Sequence, residues 1–336
     1  MARKLPVARR LAMDATARAQ VRAELTALGL PIWTLNVFPY AGFHDTVVKT
    51  AVYRPDWTSE ERLLYTRQCA EAVAALVPAG SVVPLSTLPL GYRGRPAMPD
   101  ELRVMARNLA RAASALAAIE QATGVCCVLA LEPEPDCLLE TCAQTVAFLE
   151  TWLFDEGAWT TVPAPVLRRH LGICVDLCHL AVVGEDPIVA LPDLRSRGIA
   201  VPKIQVSSCL ELRRPEALDR LLAFAEPRYL HQTGGERGLR ALDLDQVAAR
   251  RAEFAAAGRL RTHFHMPLWW DDDGALGSTR AEVVRSLQWL ALQPAPWPLL
   301  EVETYTWGVL GDFAGGAPLA ERLARELDFA ANALRR

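Results

Sequence analysis

The chain has 336 residues, 51% of them hydrophobic and 22% charged, with a formal net charge of −3. Such a core-forming composition excludes intrinsic disorder, and a near-neutral balance excludes a nucleic-acid-binding surface. No run approaches the ~20 apolar residues of a membrane span, and the basic start Met1-Ala2-Arg3-Lys4 lacks the apolar core of a signal peptide. A cytoplasmic protein is therefore expected, its eight cysteines lying mostly in apolar runs as reduced, packed thiols.

In chain order, short apolar runs alternate with longer Ala/Leu/Arg segments of helical period. That alternation marks βα units around a parallel sheet. Strands are expected near 32–38, 81–88, 125–132, 170–178, 199–207, 228–232, 260–267 and 298–305. Helices are expected near 14–28, 58–77, 99–122, 137–154, 187–197, 214–225, 243–256, 278–292 and 317–334. Without a linker or repeat to divide them, these predict one α/β domain over residues 1–336, a (β/α)8 TIM barrel with an atypical or disordered stretch at 1–13. An open doubly wound sheet is the alternative. The run at 228–232 is the weakest of the eight, squeezed between Glu226-Pro227 and Gly234-Gly235.

Side chains at the C-terminal ends of parallel strands surround one pocket, so polar residues there carry the functional expectation. The third run closes on Glu132-Pro133-Glu134, with Glu132 as the site residue and Glu134 as a loop residue. The fourth holds Asp176 as its lone charge, with His179 three residues on. A buried Asp must be paired, hydrogen-bonded or metal-bound; capping the next helix is the other reading. Gln205 and Ser207 share a face of the fifth run, and His263 and His265 share a face of the seventh. The eighth carries Glu301 and Glu303, of which Glu303 is nearer the strand end.

Carboxylates, imidazoles and an amide without thiolate suit Mn²⁺, Mg²⁺, Co²⁺ or Zn²⁺. The expected ligands are Glu132, Asp176, His263, His265 and Glu303, and the expected acid/base residues are Glu132 and Glu303. The aromatic and charged stretch after the first strand, with Asn36, Tyr40, His44, Lys49, Arg54 and Trp57, reads as a substrate-binding wall, as does Trp307 after the last. Packing on the barrel top is the other reading of these aromatics.

The segments Leu35-Asn36-Val37-Phe38-Pro39-Tyr40, Val52-Tyr53-Arg54-Pro55-Asp56-Trp57, Ser86-Thr87-Leu88-Pro89-Leu90-Gly91 and Leu300-Glu301-Val302-Glu303-Thr304-Tyr305-Thr306-Trp307 resemble the EboE-type metabolite traffic proteins. These belong to the xylose isomerase-like TIM-barrel superfamily of sugar isomerases and epimerases. The resemblance implies a metal held by Glu132, Asp176 and Glu303, with His179 as the histidine of Asp-x-x-His and a catalytic role for it. Gln205 stands where the epimerases have His, and the first strand is missing or altered. The resemblance further implies a small metabolite as ligand and partner proteins of the same metabolite pathway.

Overall fold

The computed structural model describes residues 11–12, 14–40, 47–155, 160–311 and 316–335. In chain order the elements are α1 (Ala15–Ala27), β1 (Leu35–Asn36), α2 (Glu60–Ala74), β2 (Val82–Thr87), α3 (Pro99–Thr123), β3 (Cys126–Leu131), α4 (Cys142–Leu149), α5 (Ala164–His170), β4 (Leu171–Asp176), α6 (Leu177–Val183) and α7 (Pro187–Ser196). They continue with β5 (Ala200–Val206), β6 (Ser208–Leu212), α8 (Leu218–Leu222), β7 (Thr233–Gly235), β8 (Arg240–Ala241), α9 (Leu244–Ala249), α10 (Arg251–Ala256), β9 (Leu260–Met266), β10 (Leu276–Ser278), α11 (Arg280–Ala291), β11 (Leu299–Val302) and α12 (Leu319–Leu334). The chain is an α/β protein, as the sequence predicts, with one six-stranded sheet in the order β1-β2-β3-β4-β5-β11 and one five-stranded sheet in the order β10-β6-β9-β7-β8. It divides into two compact units, Met1–Cys174 with Leu194–Lys203 and Val175–Asp193 with Ile204–Arg336.

The first unit is built on parallel pairing of β1 with β2, β2 with β3, and β3 with the start of β4. Every residue of β3 is buried, as its unbroken Cys-Cys-Val-Leu-Ala-Leu run requires of a parallel strand covered on both faces. β1 is only two residues long and ends the sheet. Before β3 comes α3, with Pro99 in its first turn and the Glu101 carboxylate accepting from the Met98 backbone N–H at 2.8 Å. It stops at Gly124, whose φ of +73° is a left-handed cap that costs glycine little. Gly172 in β4 is fixed by a close approach, because a Cβ there would lie 2.5 Å from the Ala200 carbonyl oxygen.

In the second unit the five-stranded sheet is antiparallel in its β10–β6, β6–β9, β9–β7 and β7–β8 pairs. Its core gathers Leu210, Leu212, Leu244, Val247, Phe254 and Phe264. The β6–β9 ladder runs Ser208↔Met266 and Cys209↔His265, then jumps to Leu210↔Thr262. His263 and Phe264 therefore bulge out of the pairing, and the His263 N–H turns to the Gln232 carbonyl at 2.8 Å.

Several expected elements change. The run at 228–232 forms no strand; the adjoining Thr233–Gly235 does, past the Glu226-Pro227 break. The run near 260–267 pairs in the antiparallel sheet. The helix expected at 243–256 breaks at Arg250, where φ −110° and ψ 32° leave the helical region. The helix expected at 137–154 starts only at Cys142, where Thr141 caps it, and ends in a π turn. β6, β10, α5 and α6 were not expected; β6 follows β5 after Ser207 alone, so the apolar run hides the change of sheet. Among the described residues no helix is long and apolar enough to cross a membrane. All eight cysteines are free and buried.

Candidate metal centre

In the second unit β4 ends at Asp176 and the chain turns at once into α6. Asp176 caps that helix: Oδ1 accepts from the His179 backbone N–H at 2.8 Å and from Ser207 Oγ at 2.8 Å. Satisfying an open helix end explains an aspartate at the close of an apolar strand. The cap uses only one oxygen. Oδ2 is fully buried and has no hydrogen-bond partner.

The histidines are set by their second nitrogens. His265 Nδ1 donates to the Glu303 carbonyl oxygen at 2.7 Å, which puts the lone pair on Nε2, and this buried atom has no partner either. His263 Nδ1 donates to Gln232 Oε1 at 2.8 Å, and its Nε2 lies 3.0 Å from His179 Nε2. Asp176, His179 and His265 each offer a ligand atom within 4.8 Å of the others; Cys178, His263 and His265 form an overlapping set. A Glu303 carboxylate oxygen is within 4.8 Å of that of Asp176.

Electrostatics agree with the geometry. Burial holds His263 well below the usual imidazole range, and the neighbouring His179, His265 and His231 push the same way. Burial takes His265 down to about 4, against the opposing pull of Asp176. Both rings are neutral at pH 7, the form that ligates a metal. Two fully buried ligand atoms without hydrogen-bond partners, beside imidazoles, fit a divalent cation.

The other expected residues are placed as follows. Gln205 is fully buried near the end of β5. Trp307 donates from Nε1 to Glu326 Oε2 at 3.2 Å and packs on the second unit's core, with Arg322 over its ring. In the first unit Glu132 is buried just past β3, its N–H bonded to the Thr87 carbonyl at 3.0 Å. Glu134 is no solvated loop residue. It is buried and accepts from Tyr53 Oη at 2.8 Å.

The expected substrate wall is mixed. Asn36 is exposed, and its Oδ1 accepts from the Phe38 N–H at 3.3 Å. Tyr40 meets Tyr65 edge-on at 5.1 Å, and Lys49 opens a 3-10 turn at a φ of +40°. Arg54 is solvated and pairs with Asp56 at 3.4 Å. Trp57 is fully buried and so belongs to the core instead of a wall. His44 lies outside the described residues.

Two residues escaped the sequence reading. Gln232 orients His263, and Glu326 on α12 accepts from the Leu268 N–H at 3.0 Å and from Thr304 Oγ1 at 2.7 Å. Glu326 thereby ties down the segments that follow His265 and Glu303. Only the apolar neighbours of Glu326 in α12 hinted at burial.

No protein-family model and no curated protein sequence matches the chain. Solved structures do. An L-ribulose 3-epimerase aligns at 16% identity and TM-score 0.37, over 56% of this chain and 54% of that one. A D-allulose 3-epimerase from Methylomonas sp. aligns at 16% identity and TM-score 0.37, over 56% and 57%. An IolI protein with a bound zinc atom aligns at 12% identity and TM-score 0.45, over 99% and 85%. The chain thus spans little more than half the length of the two epimerases. Similarity this low assigns no activity.

Proposed function

We propose that the chain is a divalent-metal-dependent enzyme of the isomerase or epimerase kind, moving a proton on a small polyol, sugar-like or secondary metabolite. The observation that supports this most is that Asp176, His179 and His265 each bring a ligand atom within 4.8 Å of the others, while Asp176 Oδ2 and His265 Nε2 are buried without a hydrogen-bond partner. These three would hold the cation. His179, to which the resemblance gives a catalytic role, is better used as a ligand, with His263 beside it and Glu303 close to Asp176. A divalent cation there supplies polarisation of a substrate carbonyl or hydroxyl oxygen. Glu303, half-buried next to that centre, takes the proton from the adjoining carbon. Glu132, which directly follows β3 in the first unit, is the other acid/base candidate the sequence offers.

A second reading, a handover protein of the EboE metabolite traffic type, is favoured by Gln205, a buried neutral amide where the epimerases have an imidazole. We place the protein in the cytoplasm, with pathway proteins as partners, in either case.

The test is metal content together with solvent-deuterium exchange into a panel of ketoses and polyols. Bound metal with exchange that Glu303→Gln abolishes supports the enzyme. Bound ligand with no product beyond one equivalent per chain supports the handover reading. A protein that binds no divalent metal loses the first reading.

A further inference from the structure

A second cluster of ligand-type side chains sits in the first unit, at the opposite end of the strands from Glu132. Glu120 lies in the last turn of α3, Cys126 is the first residue of β3, and His170 is the last residue of α5, one step before β4. A carboxylate oxygen, the thiol sulfur and an imidazole nitrogen from these three all lie within 4.8 Å of one another. His170 and Cys126 are buried, while the Glu120 side chain keeps 22% of its surface, enough to let water or an ion reach the group.

Hydrogen bonds orient the three groups. His170 Nδ1 lies 2.8 Å from the Cys127 carbonyl oxygen. A carbonyl only accepts, so Nδ1 carries a hydrogen and Nε2 is the nitrogen turned to the cluster. Nε2 lies 3.4 Å from Glu120 Oε2. Arg169 meanwhile clasps Glu120, its Nε at 2.7 Å from Oε2 and an amino group on Oε1, which keeps the carboxylate ionised and aimed at the cluster. An outer donor on a ligand carboxylate and an outer carbonyl on a ligand imidazole are the usual supports of a metal site.

We infer that Glu120, Cys126 and His170 form a zinc site that ties α3, β3 and α5 together at the N-terminal end of the sheet. One nitrogen, one sulfur and one oxygen favour Zn²⁺ over Mg²⁺ or Ca²⁺, with water as the fourth ligand. Binding forms a zinc–sulfur bond and breaks the Cys126 S–H bond, whose proton leaves to solvent; no electrons are transferred.

The experiment loads chelator-treated full-length protein with Co²⁺ as a probe and follows the thiolate-to-cobalt absorption, then counts Zn²⁺ per chain by elemental analysis. The wild type and Asp176→Asn should both show the band, since Asp176 is in a different cluster. Cys126→Ser should lose the band and one zinc per chain, and His170→Gln should weaken zinc binding by roughly tenfold or more. Denaturant midpoints without metal check that each variant folds. Should Cys126→Ser not fold, Glu120→Gln serves, with the same expected loss of zinc. The inference is overturned if the band and zinc count are insensitive to Cys126→Ser and Glu120→Gln. It is equally overturned if NMR shows His170 to be an imidazolium whether or not zinc is added.

Discussion

His179 Nε2 and His263 Nε2 lie 3.0 Å apart, the two rings nearly perpendicular at 82°. Two nitrogens so close must share a proton or a cation. Which of them bears the lone pair is decided outside the pair, by the 2.8 Å bond from His263 Nδ1 to Gln232 Oε1. Gln232→Leu removes that acceptor and lets the ring change tautomer. Metal affinity should fall about 10- to 100-fold, measured by competition with a chromogenic chelator, and the stranded ring N–H should lower stability without metal by about 1–3 kcal/mol.

Asp176 separates cap from ligand. Asp176→Asn keeps an oxygen for the His179 N–H and the Ser207 hydroxyl, so the metal-free protein should be as stable as wild type. Its amide nitrogen replaces the free oxygen, and the rise in melting temperature on adding Zn²⁺ or Mn²⁺ should shrink or vanish. Asp176→Ala loses both roles and should cost about 1 kcal/mol even without metal. Calorimetry with and without metal distinguishes the variants.

Glu326 predicts a pH effect with a definite sign. Burial raises its carboxyl pKa, and hydrogen bonds from Thr304, Leu268 and Trp307 only partly offset this. A native pKa above the unfolded one means the folded protein holds the proton more tightly. The stability this contributes is full below the unfolded carboxylate pKa and is lost as pH rises through the raised native value. The difference in unfolding free energy between wild type and Glu326→Gln should therefore decline across that window and flatten above it. Glu326→Ala, which strands the Leu268 N–H, should cost roughly 2–3 kcal/mol.

Gly172→Ala forces a methyl group to 2.5 Å from the Ala200 carbonyl oxygen, and backbone cannot yield as a flexible side chain would. The expected loss is about 1–3 kcal/mol in denaturant unfolding.

Much of the candidate centre was legible because its residues break a local pattern. Asp176 is a charge in an apolar strand, and two histidines two apart on one strand are conspicuous. Gln232 and Glu326 break no such pattern. Gln232 ends a weak segment that forms no strand, and Glu326 sits in a helix whose polar spacing looks like surface. Their roles depend on Thr304, Leu268 and His263, remote in sequence. The parallel sheet was legible from buried runs such as β3. The second sheet was not, because Ser207 alone separates β5 from β6 and composition does not change where the pairing partner does.

The interruption between Cys209 and Leu210 has a further meaning. The ladder of β6 with β9 resumes at Thr262 as though His263 and Phe264 were extra chain. Pairing with β6 would close without those two residues. Phe264 fills the hydrophobic core, and His263 faces His179 while its N–H bonds to the Gln232 carbonyl, so this short surplus serves everything but the β6 ladder. Excising both should leave a sheet that still zips together but has lost an imidazole. A chain that retains such a detour carries it for the histidine it delivers.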